Sequence, residues 1–228
     1  MASEIPSHEE SAWRSLYKIG GAAALLVALF VPIQIIVFII KPPPETVAGW
    51  FALFQDSALL GLLDMDLLLL VDQVLSGLLL LALYIALRRT SQSFMLIAFI
   101  FALLGIAAYL ASNPAFEMLS LSNGYAVAAT EAERAIFLAA GEGMLATWTG
   151  TAYSVGYVLV GIALLITGVV MVRSGRFGRV TAWVGVVMGV LSLVPASAGT
   201  VGLVFALGSL LPLEIWYILV GLKLVRLA

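Results

Sequence analysis

The sequence predicts an all-α, polytopic membrane bundle: six transmembrane helices, both ends cytoplasmic, with short interfacial helices on the outer side. Three observations predict it. First, 63% of the 228 residues are hydrophobic and 11% charged, with a mean hydropathy of +1.13. Soluble domains run near ~45–50% apolar and ~25% charged. No water-soluble fold hides that excess, so the bilayer must be the solvent. Second, apolar runs of about 20 residues, enough to cross a hydrocarbon core about 30 Å thick, recur near 19–40, 62–87, 93–112, 148–172, 179–199 and 202–225. Third, the basic residues near the ends of these runs fall on one side. Arg14, Lys18, Arg88, Arg89, Arg173, Arg176, Arg179, Lys223 and Arg226 share it, and only Lys41 and Arg134 stand opposite. Basic residues stay cytoplasmic, so both termini are placed inside. The outer side carries Glu45, Asp56, Glu117, Glu131, Glu133 and Glu142.

Residues 1–18 read as a cytoplasmic tail and juxtamembrane helix, and 19–228 as a single six-helix domain. Ser7 and Glu10 have capping-box spacing, so a helix is expected to start there and to carry Trp13, Arg14, Tyr17 and Lys18 at the membrane surface. The first apolar run exceeds the usual h-region of about 7–15 residues. It is followed by Lys41-Pro42-Pro43-Pro44 instead of a small-residue cleavage site, so it reads as an anchor.

The outer segment 41–61 is apolar and aromatic, with Trp50, Phe51 and Phe54, but too short to span; it predicts an interfacial helix or a re-entrant segment. The outer segment 113–147 predicts two helices. Asn113-Pro114 starts the first and Ser122-Asn123-Gly124 ends it; Thr130 and Glu133 form a capping box for the second. Beyond that box, Phe137, Leu138, Gly141, Met144, Leu145 and Trp148 repeat at helical spacing. They predict a surface helix over the mouth of the bundle that feeds the fourth span. Toward the C-terminus, Gly185 and Gly189 make a GxxxG, with Ser192 on the same face, suited to close packing within the chain or to a homo- or hetero-oligomer. Pro32, Pro195 and Pro212 are expected to kink spans one, five and six.

Polar residues within the runs supply the candidate site. An Asp at the centre of a span costs roughly 2.5–3.5 kcal/mol to insert, and each Leu returns roughly 0.5. The thirteen leucines between 62 and 87 outweigh Asp72, which still needs a partner, a proton or water. Counting about 1.5 Å per residue from the basic anchors puts Asp72, Gln34, Tyr157 and Pro195 about 24 Å up, in the outer third. Gly208, whose carbonyl loses its helical partner to Pro212, falls at nearly the same depth. Asp64 and Asp66 fall at the outer boundary; Ser76 and Glu214 lie deeper, near the midplane. The candidate polar pocket is therefore Asp72, Gln73, Gln34, Tyr157, Ser76, Glu214, Asp66 and Asp64. It reads either as a satisfied polar layer, with Asp72 bonded to Tyr157 or Gln34, or as an outward-open pocket for a small cation, proton or amine.

Several functions are disfavoured. Cysteine is absent, and the one histidine, His8, lies in the polar tail. Serine–histidine hydrolysis, thiol chemistry and histidine-ligated zinc or haem therefore have no ligands in the membrane-embedded part. An aspartyl-protease pair would need a GxGD-type second Asp, which is absent. No catalytic residue, cofactor or metal site is expected, and a net charge of −2 gives nucleic acid no footing. The expected partner is the lipid bilayer. The leading expectation is a non-catalytic role in regulation, assembly or structure. A small transporter or channel using Asp72 is the alternative, although the acid-rich second span has no counterpart in the second half, as an inverted repeat would require.

A family resemblance adds to this reading. The stretches DLLLLVD at 66–72, ALYIALRR at 82–89, SNPAFEMLSLS at 112–122, AERAIFLAAGE at 132–142, VMVRSGRFGRVTAWVG from Val170 and the closing LPLEIWYILVGLKL resemble small bacterial six-helix membrane proteins of the domain of unknown function 4386 type. The resemblance covers nearly everything after residue 60. It implies six helices in a bacterial inner membrane and carries over no catalytic or binding residue.

Overall fold

The computed structural model describes residues 12–228. The expected Ser7/Glu10 cap and His8 lie outside them. The described residues form helices joined by short turns, with no strand among them. In chain order these are α1 (Arg14–Ile40), α2 (Val47–Asp56), α3 (Ala58–Asp64), α4 (Leu67–Leu87), α5 (Gln92–Ser112), α6 (Ala115–Val127), α7 (Glu131–Trp148), α8 (Thr151–Ser174), α9 (Arg179–Leu191) and α10 (Gly199–Leu227). By length and composition, five helical stretches are able to cross a membrane: Arg14–Ile40, Leu67–Leu87, Gln92–Val127, Glu131–Ser174 and Gly199–Leu227. Arg179–Leu191 is a shorter apolar helix.

Six helices close into a ring in sequence order. α1 packs on α4, α4 on α5, α5 on α8, α8 on α9, α9 on α10, and α10 returns to α1. Glycines set the closest approaches. A Cβ on Gly105 of α5 would lie 2.7 Å from the carbonyl of Gly156 on α8, and the reverse distance is also 2.7 Å. Gly21 of α1 and Gly221 of α10 meet in the same way, at 2.9 and 3.0 Å. Gly185 lies against the Trp216 ring of α10, and a Cβ on Gly189 would lie 2.5 Å from the backbone of Leu165 on α8. The GxxxG pair thus packs within the chain, against two different neighbours.

Three expected boundaries move, two for a local reason and one for a tertiary one. The second span begins at Leu67, not 62, because Asp66 takes a left-handed backbone conformation at φ 66 and separates α3 from α4. The fifth helix stops at Leu191, not 199. Its proline strongly disfavours helix at the preceding Val194, and residues 192–198 form turns. Pro195 therefore stands beyond α9 and kinks nothing, while Pro32 and Pro212 lie inside α1 and α10. Helix α6 continues through Ser122-Asn123-Gly124 to Val127. Tertiary contacts hold it there: Ser122 Oγ donates to the Phe51 carbonyl at 3.0 Å, and Gly124 lies against the Phe137 ring.

The outer segments assemble a core of their own. Segment 41–61 forms α2 and the greater part of α3, each capped by a hydroxyl, Thr46 on Gly49 N–H and Ser57 on Leu60 N–H. Val47, Trp50, Phe51, Leu53, Phe54, Met65, Ala115 and Met118 are buried together, with Phe137, Leu138, Met144, Leu145 and Trp148 of α7 against them. The Thr130/Glu133 capping box is present in both directions. This cap covers the acidic end of the ring. Toward the basic end, Leu79, Leu83 and Leu87 of α4, Met95 of α5, Met171 of α8, Met188 of α9 and Trp216, Val220 and Leu224 of α10 fill the interior.

Candidate functional site

Between the cap and that apolar filling, the ring interior is polar. α4 turns Asp72 and Ser76 inward, four residues apart on the same helical stripe as Leu79, Leu80 and Leu83. Asp72 is 6% exposed, and its Oδ1 has no hydrogen-bond partner. Glu214 and Tyr217 face it from α10, and Tyr109 from α5, all near enough for their charges to interact with it. Ser76 Oγ and the Tyr217 hydroxyl lie 2.9 Å apart. Tyr217 is nearer the basic end than Ser76 by residue count, but helical side chains lean toward the N-terminus, which in α10 carries the phenol up to Ser76.

On the opposite wall, Tyr109, Tyr153 and Tyr157 form a ladder from α5 onto α8. Their ring centroids are 5.8 Å apart for the first pair and 6.2 Å for the second, with interplanar angles of 42° and 35°. The Tyr157 hydroxyl lies against Ser192 and Ser209, and Ser154 meets Ser197 at 2.8 Å.

The sequence-predicted residues thus divide into two groups. Asp72, Ser76 and Glu214 come together. Tyr157 lines the same interior but binds Ser192 and Ser209 rather than Asp72. Gln34 is 2% exposed and bonds elsewhere, its Nε2 donating to the Leu63 carbonyl at 2.9 Å. The expected bond from Asp72 to Tyr157 or Gln34 is absent among the described residues: α1 presents Gln34 to α3, which packs over that part of α1. Gln73 is half-buried beside Asp72 with no hydrogen bond joining it to the cluster. Gly208 faces outward, with nothing within 4 Å of its Cβ position, and Ser209 takes the inward place.

Asp64 and Asp66 lie above, where the cap meets the ring. Asp66 Oδ2 accepts from Trp148 Nε1 at 3.1 Å, and Trp148 packs edge-on against Trp50 at 5.6 Å. Burial pushes the Asp66 carboxyl up to about 7; the Trp148 N–H opposes the rise and the Asp64 charge adds to it. Asp64 is 0% exposed with both carboxylate oxygens unpartnered. Burial raises its pKa as well, and the charge of Lys41 pulls the other way. Asn113 ties the same corner together, donating from Nδ2 to the Met65 carbonyl at 2.8 Å.

Sequence reasoning missed Tyr109, Tyr153, Tyr217 and Trp148. A depth count would have found Tyr109: it stands seventeen residues beyond Gln92, about 26 Å up, level with Asp72. Nothing local marks Trp148, which reads equally as cap core and does serve there.

A family profile described as "Domain of unknown function (DUF4386)" matches residues 15–225. The chain belongs to the DUF4386 family. No curated protein and no solved structure matches it. Membership of DUF4386 agrees with an uncharacterised helix bundle carrying several membrane-compatible helices, and every residue of the polar interior falls within the matched segment. The chemistry of the site therefore rests on its own geometry. Among the described residues, the buried side-chain oxygens lacking a hydrogen-bond partner are Gln34 Oε1, Asp64 Oδ1 and Oδ2, Asp72 Oδ1 and Glu214 Oε1. All lie in the acidic half of the ring or under the cap, and two buried donor nitrogens, Arg134 Nε and Trp216 Nε1, are unpartnered as well.

Proposed function

We propose that this DUF4386 protein is a six-span, non-catalytic protein of the bacterial inner membrane that binds a small cation, amine or proton. The binding site is a chamber between α4, α5, α8 and α10, facing outward beneath the cap. α1, α4, α5, α8, α9 and α10 are the spans, and both ends are cytoplasmic. The basic-residue asymmetry supports the orientation. The ring order supports the count: α9 contributes only 13 residues, but the turns from Ser192 to Ala198 continue its path toward the acidic end.

One observation carries the ligand reading. The buried oxygens of Asp72 and Glu214 lack donors. Buried polar groups are normally paired, and an intramembrane carboxyl is costly unless it meets a proton, a cation or water. The described basic residues lie at the basic end or on the outer face, so the chamber is set up to receive positive charge rather than to neutralise itself. The apolar filling of the basic half supports binding from one side in preference to an open conduit.

A regulatory, assembly or structural role without a ligand is the second reading, favoured by the well-filled basic half. Purified protein in lipid nanodiscs separates the two by calorimetric titration with sodium, potassium and alkylammonium salts and by proton-release measurements. The ligand reading predicts saturable binding or proton uptake that Asp72→Asn abolishes while the fold is retained. If wild type and Asp72→Asn give the same featureless titrations, the second reading stands. Asp72→Asn is then neutral or stabilising, because an amide avoids the burial cost of a carboxylate.

A further inference from the structure

Resting on the cation-binding reading above, we propose that the chamber is built for an organic ammonium ion: its charged nitrogen between Asp72 and Glu214, its carbon substituents against the Tyr109–Tyr153–Tyr157 ladder. The two walls differ in chemistry. α4 and α10 supply carboxyl oxygens, with Asp72 Oδ1 and Glu214 Oε1 buried and unpartnered. α5 and α8 supply three tilted phenol rings.

A bare metal ion is poorly served by this arrangement. Among the described residues, no three acidic or histidine side chains converge as a ligand set, and a hard cation takes six or more oxygens. A proton alone leaves the aromatic wall without a role. An ammonium ion carrying alkyl or aryl groups uses both walls: N–H donors satisfy the orphan carboxyl oxygens, and ring faces attract the cation. Rings at 42° and 35° to one another are not closed into a parallel stack, and all three tyrosines are only half-buried. The Tyr157 hydroxyl lies against Ser209 and Ser192. Below, Ser76 Oγ and the Tyr217 hydroxyl pair at 2.9 Å, and Trp216, buried in the apolar cluster, packs edge-on against Tyr217.

The test compares ligand classes on the full chain in nanodiscs. n-Butylammonium, benzylammonium and tetramethylammonium are titrated against sodium and potassium, with wild type, Asp72→Asn and Tyr153→Leu. The proposal expects benzylammonium to bind more tightly than either alkali ion. Asp72→Asn should abolish that binding. Tyr153→Leu should weaken it about tenfold, ~1.4 kcal/mol. A far-ultraviolet melt confirms that each variant is folded, and Tyr153→Phe should restore affinity, since the ring is kept. Sodium, potassium or proton binding that depends on Asp72, with no response to any of the three ammonium ions, overturns the substrate class and leaves the cation reading standing. Absence of every Asp72-dependent signal overturns both. Ammonium binding indifferent to Tyr153→Leu removes the aromatic wall from the proposal.

Discussion

Toward the basic end of the ring, Leu79, Leu83, Leu87, Met171, Met188, Trp216 and Leu224 are almost wholly buried in a single apolar cluster. Toward the acidic end, the same helices turn Asp72, Glu214, Tyr109, Tyr153 and Tyr157 inward, and carboxyl oxygens are left without partners. Backbone design does not separate the two halves, because glycine contacts hold helices close in both. Gly105 and Gly156 join α5 to α8 in the acidic half, and Gly21 and Gly221 join α1 to α10 in the basic half. The difference lies in what the inward stripe carries. On α4 the stripe changes from Asp72 and Ser76 to Leu79, Leu80 and Leu83 within two turns. The lower half buries apolar side chains, and the upper half keeps polar groups whose burial costs energy.

Substitutions that disturb the frame should have the largest effects. Gly189→Leu drives a side chain into the Leu165 backbone, which lies 2.5 Å from the Cβ position. Overpacking typically costs ~1–3 kcal/mol, and a backbone obstacle belongs at or beyond the top of that range. Val187→Leu, on the exposed face of the same helix, should be near neutral. Thermal unfolding in detergent checks the pair, and equal effects at the two positions would remove the packing claim. Next in size is the comparison of the halves. Leu83→Ala, in the dry half, should cost ~2–5 kcal/mol as a buried cavity. Tyr153→Leu, in the polar half, should cost well under half as much. Equal losses would mean that the upper half is packed like the lower.

A smaller effect is expected from pH. Asp66 precedes α4 and holds its proton up to about pH 7 in the folded chain, against an ordinary value of 3.8. The folded state thus binds that proton more tightly than the unfolded state. Its contribution is greatest below about pH 4 and is lost as pH rises through about 7. Asp64, also raised by burial but opposed by Lys41, acts in the same sense. Unfolding midpoints measured across that window should fall as pH rises, and Asp66→Asn should flatten the fall. A midpoint that climbs with pH would contradict the burial of the Asp66 carboxyl.

Much of the fold was legible because membrane helices declare themselves through composition. The apolar runs, the Thr130/Glu133 box and the helical spacing from Phe137 to Trp148 all reappear as helices in the expected places. Boundaries moved at the left-handed Asp66, ahead of Pro195, where α9 stops at Leu191, and in α6, which tertiary contacts carry past Gly124. The candidate site was half legible. Depth counting grouped Asp72, Ser76 and Glu214, which line the same interior, since rise per residue is nearly constant. It carries no rotational information, so it paired Asp72 with Gln34 and Gly208, which face α3 and the outside. Tyr217 was unreadable by depth alone, because its reach upward depends on side-chain direction.

The central claim is that the acidic half encloses a chamber reachable from outside while the basic half is closed. The natural absence of cysteine makes single-cysteine accessibility the most direct test. Tyr153→Cys, Tyr157→Cys, Leu83→Cys and Met171→Cys are each exposed to a small, positively charged, membrane-impermeant thiol reagent on the outer side of intact cells. The account predicts that the two tyrosine positions react, more slowly in the presence of a bound ammonium ion, and that Leu83 and Met171 remain unlabelled. Labelling no faster at Tyr153 and Tyr157 than at Leu83 would contradict it.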